Sequence, residues 1–513
     1  MTQPMNILFL MADQLAPQFL PAYGHPVVKT PRLDGIAENS VVFDAHYTNS
    51  PLCVPARAGL MTGQLPSRIN CFDSGCDYEF SIPTLAHYLR ANGYVTAQSG
   101  KAHYIGADQL HGLEKRLTAD ICPSDNCWYG IWDDPDRTLD WFHNLKNVVT
   151  AGTAERSSQQ DHDYDATHAA VRWLYDYARG SDQRPFFLKV SFTHPHDPYV
   201  TPPQYWNRYR HDEIDMPVIP FMPVADRDEH GQWLFQHYDR NEYDVTDEHI
   251  RQARHGYYGS ISLVDDLVGQ VLDALTSARL DENTIVVFTA DHGDMLGERG
   301  AWYKMSFYEH SCRVPLFIMV PGENGSRRVS QCTSLIDLMP TLLDLVLDQG
   351  CDHLVESIDG RSLRPLMSGD ATAWRDEAVA EICFEGARAP GMLIRRGTKK
   401  YVHWEGGPCS LFDLQHDPHE KENLVTDSAY SDEIALFDKE VHERWPVEQL
   451  TEKILLKQRR NALVHQALMT GEVTALDFQP FDDASKRYYR GHGNWHKAEE
   501  RDFLRFDSKD IPE

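Results

Sequence analysis

The chain has 513 residues, 42% of them hydrophobic, and a formal net charge of −28. That length supports one large core with an appendage. The charge excludes nucleic acid and anionic membrane as partners, because either would be repelled, so an anionic substrate must be drawn in by a local basic pocket.

Residues 1–5 lack a basic segment, and the apolar stretch at 7–12 is too short for a signal peptide and reads as a first strand. No stretch approaches the roughly 20 apolar residues that span a bilayer. Four segments then share one grammar, a short apolar run ending in polar, ionisable residues. Residues 6–12 run into Asp13 and Gln14, and residues 94–98 into Ser99-Gly100-Lys101-Ala102-His103. Residues 186–192 run into Thr193-His194-Pro195-His196-Asp197, and residues 284–290 into Asp291-His292-Gly293-Asp294. Short runs rich in Ile, Val, Leu and Phe suggest strands buried on both faces. Between them lie helical stretches such as 261–280, where Val264, Leu267, Val268, Val271 and Leu275 keep a helical period. The alternation predicts a mostly parallel sheet with helices on both faces and ligands beyond the carboxyl ends of its strands.

After about Asp370 the pattern changes. Residues 378–384, 392–394 and 400–404 read as short antiparallel strands, followed by the run at 410–424. From Ser428 the chain is charged and helical, and it becomes aromatic and loop-like at 478–481 and 488–495. The organisation expected is a catalytic unit at 1–370, a smaller α+β unit at 371–445 and an extended helical tail at 446–513. The ten cysteines follow no framework pattern. Cys71/Cys76 and Cys122/Cys127 have C-x4-C spacing, which argues against zinc, and reduced thiols in a cytoplasmic protein are the simplest account.

The most informative stretch is Pro51-Leu52-Cys53-Val54-Pro55-Ala56-Arg57-Ala58-Gly59-Leu60-Met61-Thr62-Gly63. Pro55 suits a helix start, where its missing N–H is no loss. Cys53 then lies at the positive end of the helix dipole, a natural place for a sulfate or phosphate group. Arg57 falls one turn on, where a guanidinium can neutralise an oxyanion. The run fits C-x-P-x-R-x4-T-G and resembles the signature of the type I sulfatases, whose cysteine is converted to formylglycine by a maturase. The resemblance implies an alkaline phosphatase-like α/β fold with a small C-terminal antiparallel sheet, a formylglycine at position 53 and one divalent metal ion. The run at 410–424 likewise resembles the sulfatase C-terminal signature.

Asp13, Gln14, Asp291 and His292 form an oxygen-rich set with one imidazole, which favours a hard divalent cation, calcium first, with manganese or magnesium as alternatives. Many type I sulfatases carry a second Asp where this chain has Gln14. Lys101-x-His103 is similar to the family's Lys-x-His pair, Lys304 to its second lysine, and His196 to its distal histidine, with His194 competing for that place. The resemblance implies that hydrated formylglycine attacks sulfur. Arg57 holds the hydrate, Lys101, Lys304 and His196 neutralise sulfate and the departing alkoxide, and His103 takes the proton that expels sulfate.

Within the family the chain most resembles the bacterial choline sulfatases. The matching stretches are Asp108-Gln109-Leu110-His111-Gly112, Asp140-Trp141-Phe142-His143-Asn144-Leu145, residues 191–199 and 291–304, and Ala484-Ser485-Lys486-Arg487-Tyr488. A quaternary ammonium alcohol calls for aromatic faces and a carboxylate. Trp128, Trp141, Phe142 and His143, with Asn144 beside them, suit the wall, and Glu381 or Glu385 the counter-charge. Ser74 and Asn494 stand where choline sulfatases carry Asn and Asp, so another alcohol is the alternative. A phosphonate monoester or phosphodiester hydrolase and a promiscuous arylsulfatase are the competing activities. The tail from about Ser485 is expected to close a neighbouring subunit's site in a homodimer or homotetramer.

Overall fold

The computed structural model describes residues 4–134, 137, 143–238, 242–323, 326–348 and 350–473. All four apolar runs form strands of one eight-stranded sheet. Its members are β1 (Asn6–Ala12), β2 (Val41–Tyr47), β3 (Val95–Gly100), β4 (Lys115–Arg116), β5 (Phe186–Ser191), β6 (Thr284–Ala290), β7 (Leu316–Met319) and β8 (Arg327–Ser334). They lie side by side in the order β8-β2-β7-β6-β1-β5-β3-β4, with β7 antiparallel to both its neighbours and the other pairs parallel. The four runs read from sequence are the contiguous centre, β6-β1-β5-β3. Ile7 to Ala12 of β1 are fully buried, as befits a strand covered on both faces. The strands not singled out from sequence are the flanking ones. β2 carries Asp44 and His46, and β8 reads RRVSQCTS, so neither shows an unbroken apolar run.

Helices flank the sheet. One group contains Pro31–Glu38, Ser158–Arg179 and Asp247–Ser277, and another contains Cys53–Thr62, Leu85–Ala91 and Leu338–Val346. The helix expected at 261–280 starts much earlier, at Asp247, behind a capping box in which the Thr246 side chain accepts from His249 N–H. Its first half holds Gly256 in place of a periodic apolar residue. A Cβ there would stand 2.2 Å from the Tyr199 carbonyl oxygen, so the glycine marks a close approach of backbones inside the helix.

The C-terminal part forms a four-stranded antiparallel meander, β9 (Glu377–Ile382), β10 (Gly391–Arg396), β11 (Lys399–Trp404) and β12 (Ser410–Asp413). The helices Ser431–Arg444 and Val447–Leu468 follow it. Lys400 anchors this sheet to the rest: its buried Nζ lies 3.0 Å from Glu309 and 2.7 Å from Glu420. All ten cysteines carry free thiols, and no described helix is long and apolar enough to cross a membrane. Trp141, Phe142 and the tail from Ser485 lie outside the described residues.

Candidate active site

The four central strands deliver their chemistry to one edge of the sheet. Asp13 and Gln14 follow β1, Lys101 and His103 follow β3, His196 lies in the turn after β5, and Asp291 and His292 follow β6. Gly100 makes the turn out of β3 at φ +84°, and a Cβ there would stand 2.0 Å from the Ser191 carbonyl oxygen, so no larger residue fits. Gln14 and His103 also sit at positive φ, 60° and 59°. Such strained positions cluster at functional sites.

Cys53 is the first residue of the helix Cys53–Thr62. Pro55 therefore falls third in the first turn, where its missing N–H still costs no intrahelical bond. The Cys53 Sγ stands 3.2 Å from His292 Nε2, 3.8 Å from Asp13 Oδ1 and 3.9 Å from Lys101 Nζ. Burial and the Asp13 carboxylate push this thiol up to about 12. One donor atom from each of Asp13, Cys53, Asp291 and His292 lies within 4.8 Å of the others.

Arg57, one turn on, ties the set together. Its Nε donates to Asp291 Oδ2 at 2.8 Å and its Nη2 to Asp13 Oδ2 at 3.0 Å. Nη1 donates to the Lys101 carbonyl and to Ser191 Oγ, both at 2.9 Å. Lys101 Nζ reaches Asp13 Oδ2 at 2.6 Å. Burial would raise the Asp13 carboxyl, yet the Lys101 and Arg57 charges hold it well below the usual carboxylate range.

These residues fit a divalent cation. His292 Nδ1 stands 3.1 Å from the Gly293 carbonyl, and donating there leaves the Nε2 lone pair facing the carboxylates. A hydrogen bond of this kind fixes the tautomer of a metal-binding imidazole. Two carboxylates and one imidazole accept a hard or borderline ion. Gln14 points elsewhere with its side chain: Oε1 accepts from Lys304 Nζ at 2.6 Å, and Nε2 donates to Asp294 at 2.7 Å and Asp197 at 3.3 Å.

His103 is buried, with neither ring nitrogen hydrogen-bonded among the described residues. Its ring meets Trp128 edge-on at 5.5 Å. Burial, then the neighbouring Lys101, hold it well below the ordinary histidine value, so the ring is neutral and available as a base. Asp120 fixes this turn by accepting from the backbone N–H of Ala102 and His103 at 3.0 and 2.8 Å.

A cavity of about 340 Å³ opens in front of Cys53, and Lys101, His103, His196 and Lys304 line it together with Trp128, His143, Asn144 and Glu385. Glu385 is 5% exposed, its Oε2 has no hydrogen-bond partner among the described residues, and burial with nearby Asp73 raises it to about 8. Glu381 is placed elsewhere: Ser67 N–H, Ser67 Oγ and Trp445 Nε1 occupy its oxygens. Of the two histidines competing for the distal position, His196 enters the cavity, whereas His194 is tied to Asp163 at 2.7 Å. A larger hollow of about 610 Å³, between Arg68, Arg361, Arg375 and Arg444, contains none of these groups.

Sequence reasoning missed the residues that position the others: Ser191 behind Arg57, Asp120 under the Lys101–His103 turn, Asn147 on Asp197, and Asp163. The Asp163 carboxylate accepts from Thr193 N–H, His194 N–H and His194 Nδ1. Asp163 lies in the second turn of the helix Ser158–Arg179, in a polar stretch where no spacing rule would have marked it.

The family model described as Sulfatase matches residues 5–348. Those described as N-sulphoglucosamine sulphohydrolase, C-terminal, and Choline sulfatase enzyme C terminal match residues 297–445 and 452–506. The choline-sulfatase of Rhizobium meliloti (strain 1021) is 40% identical over 509 residues, covering 96% of this chain and 97% of that relative. An arylsulfatase of Clostridium perfringens is 27% identical, with 84% and 92% covered. Among solved structures, the phosphonate monoester hydrolase of Agrobacterium radiobacter superposes with a TM-score of 0.67 at 25% identity, covering 86% of this chain and 95% of that one. The Cys53 constellation at the edge of an eight-stranded sheet and the match along nearly the whole chain have one reading: this chain belongs to the sulfatase family of the alkaline phosphatase superfamily and is a sulfuric ester hydrolase.

Proposed function

We propose that the chain hydrolyses a small alkyl sulfate ester, choline-O-sulfate or a close relative, to the alcohol and sulfate, using Cys53 matured to formylglycine. The observation that carries this reading is the position of Cys53, at a helix N-terminus beside the Asp13–Asp291–His292 set and at the floor of a cavity lined by two lysines. The similarity to a choline-sulfatase over nearly the whole chain supports the alcohol.

Hydrated formylglycine supplies two hydroxyls on one carbon, one to attack and one to expel sulfate, and a divalent cation, calcium first, supplies positive charge beside them. Asp13, Asp291 and His292 are the residues that would hold that cation, with Gln14 tying Lys304 into the set. Arg57 keeps the two carboxylates apart and fixed. Lys101 and Lys304 bind the sulfate oxygens and neutralise charge that grows as the S–O bond to the alcohol breaks. His196, paired with Lys304, stands on the same side to serve the departing alkoxide. His103, neutral and without a hydrogen-bond partner among the described residues, accepts at a ring nitrogen the proton whose removal releases sulfate. Trp128 offers an aromatic face and Glu385 a carboxylate to a cationic alcohol. Assembly as a homodimer or homotetramer belongs to the same reading, and light scattering with and without residues after Ser485 tests it.

A second reading, phosphonate monoester hydrolysis at the same site, is favoured by the structural likeness to the Agrobacterium enzyme. The ratio of kcat/KM for choline sulfate to that for a phenyl phosphonate monoester decides between them. A ratio well above one supports the sulfatase reading, and a ratio below one supports the other.

A further inference from the structure

A second group of metal-ligating side chains lies in the C-terminal part of the chain, outside the cavity that holds Cys53. Strand β11, the turn after it and the helix Ser431–Arg444 bring His403, Glu405 and His442 together, with one donor atom of each within 4.8 Å of the others. The two rings meet edge-on at 5.1 Å. His403 is 6% exposed, and its Nε2 has no hydrogen-bond partner among the described residues, standing 3.7 Å from Glu405 Oε2.

Asp438 lies against both rings. The Asp438 carboxylate, Oδ1, lies 3.2 Å from His403 Nδ1. Nδ1 also meets Cys409 Sγ at 3.7 Å, whereas Nε2 is the nitrogen left without a hydrogen-bond partner among the described residues. The Asp438 backbone carbonyl accepts from His442 Nδ1 at 2.8 Å, which leaves the lone pair of that ring on Nε2. Tyr401 Oη donates to Asp438 Oδ1 at 3.3 Å and holds the carboxylate in place. One imidazole with its Nε2 lone pair free of Asp438, a second with a buried Nε2 unpartnered among the described residues, a carboxylate oxygen, and an outer carboxylate beside that second ring are the parts of a His₂Glu metal site. With so few oxygen donors the set suits zinc or a similar borderline ion, not calcium.

We infer that His403, Glu405 and His442 bind one zinc-class divalent cation, with Asp438 as the positioning residue. The ion joins β11 to the helix Ser431–Arg444 and so fastens that helix to the small sheet.

The test uses the full-length enzyme, stripped of metal by chelator and dialysed against zinc chloride, followed by elemental analysis and thermal unfolding. Wild type should retain one equivalent of zinc more than His442→Ala or Glu405→Gln, so ions held at the active site cancel in the comparison. Zinc should raise the Tm of wild type and leave those of the two variants unmoved. Asp438→Asn should weaken zinc binding by about 10- to 100-fold, the effect expected of an outer partner. His442 is exposed, so its truncation leaves the fold intact, and activity on sulfate esters serves as the check. Equal zinc content and equal Tm shifts in wild type and both variants would overturn the inference. So would loss of the zinc in Cys409→Ser with retention in His442→Ala, since Cys409 faces the opposite nitrogen of His403 at 3.7 Å.

Discussion

Lys304 Nζ lies 2.7 Å from His196 Nε2. An ammonium only donates, so that nitrogen is the acceptor and the His196 proton sits on Nδ1, which donates to the Asp197 carbonyl at 2.8 Å. Burial and the Lys304 charge hold His196 well below its ordinary value, in keeping with a neutral ring. The pair therefore presents one positive charge to the cavity, with His196 orienting the Lys304 ammonium. Lys304→Met should lower kcat on a sulfate ester by about 10²–10³, as for loss of one preorganised donor to developing charge. Steady-state kinetics showing a rise in KM with kcat unchanged would limit Lys304 to substrate capture.

His103→Ala should slow release of sulfate more than release of the alcohol, at a cost of about 10²–10⁴ typical of a general base. Rapid mixing then shows a burst of alcohol equal to the enzyme present. A slow first turnover without a burst would move His103 to the attack step.

Glu385 sets a pH dependence. Its carboxyl is raised to about 8 by burial and Asp73, so it is mostly neutral below that pH and charged above it. A cationic alcohol should bind better as pH rises through about 8, and a neutral alkyl sulfate should not. Glu385→Gln should remove this difference and, above about pH 8, weaken choline sulfate by about 1.5–3 kcal/mol, the range of a charge-assisted contact. Stability runs the other way. The native state keeps a proton that the unfolded chain loses in the ordinary carboxylate range, so this group's contribution falls as pH rises toward about 8. Urea midpoints of wild type and Glu385→Gln across that window check the sign.

Arg57→Ala should destabilise the fold by about 3–5 kcal/mol, because it leaves two buried carboxylates short of their shared partner. Arg57→Lys should recover little, since Nε, Nη1 and Nη2 all have separate acceptors and an ammonium cannot span them. Urea denaturation of the three proteins measures both expectations. A change below ~1 kcal/mol in Arg57→Ala, the scale of an exposed ion pair, would contradict the role given to the guanidinium.

How much of this was legible in the sequence follows from where each residue sits. The central strands are covered on both faces, so their apolar runs stand out, and each hands its next residues directly to the site. Asp13, Lys101, His103, Asp291 and His292 were readable for that reason. Strands β2 and β8 mix polar and apolar residues, and the first half of the long helix carries glycine where two backbones meet, so both escaped a periodicity reading. Glu381 and Glu385 are four residues apart, one at a strand end and one in the loop beyond it, and only the three-dimensional path sends one to Ser67 and Trp445 and the other to the cavity. Asp120, Asp163 and Ser191 act through backbone groups and a guanidinium distant in sequence, which local spacing does not encode.

The claim on which the rest depends is the chemistry at position 53, and the mass of the peptide carrying that residue tests it most directly. Samples made with and without a formylglycine-generating maturase should differ in the formylglycine fraction at residue 53, and sulfatase activity should rise in proportion to that fraction. A fully active sample whose peptide carries only the cysteine thiol would contradict the account.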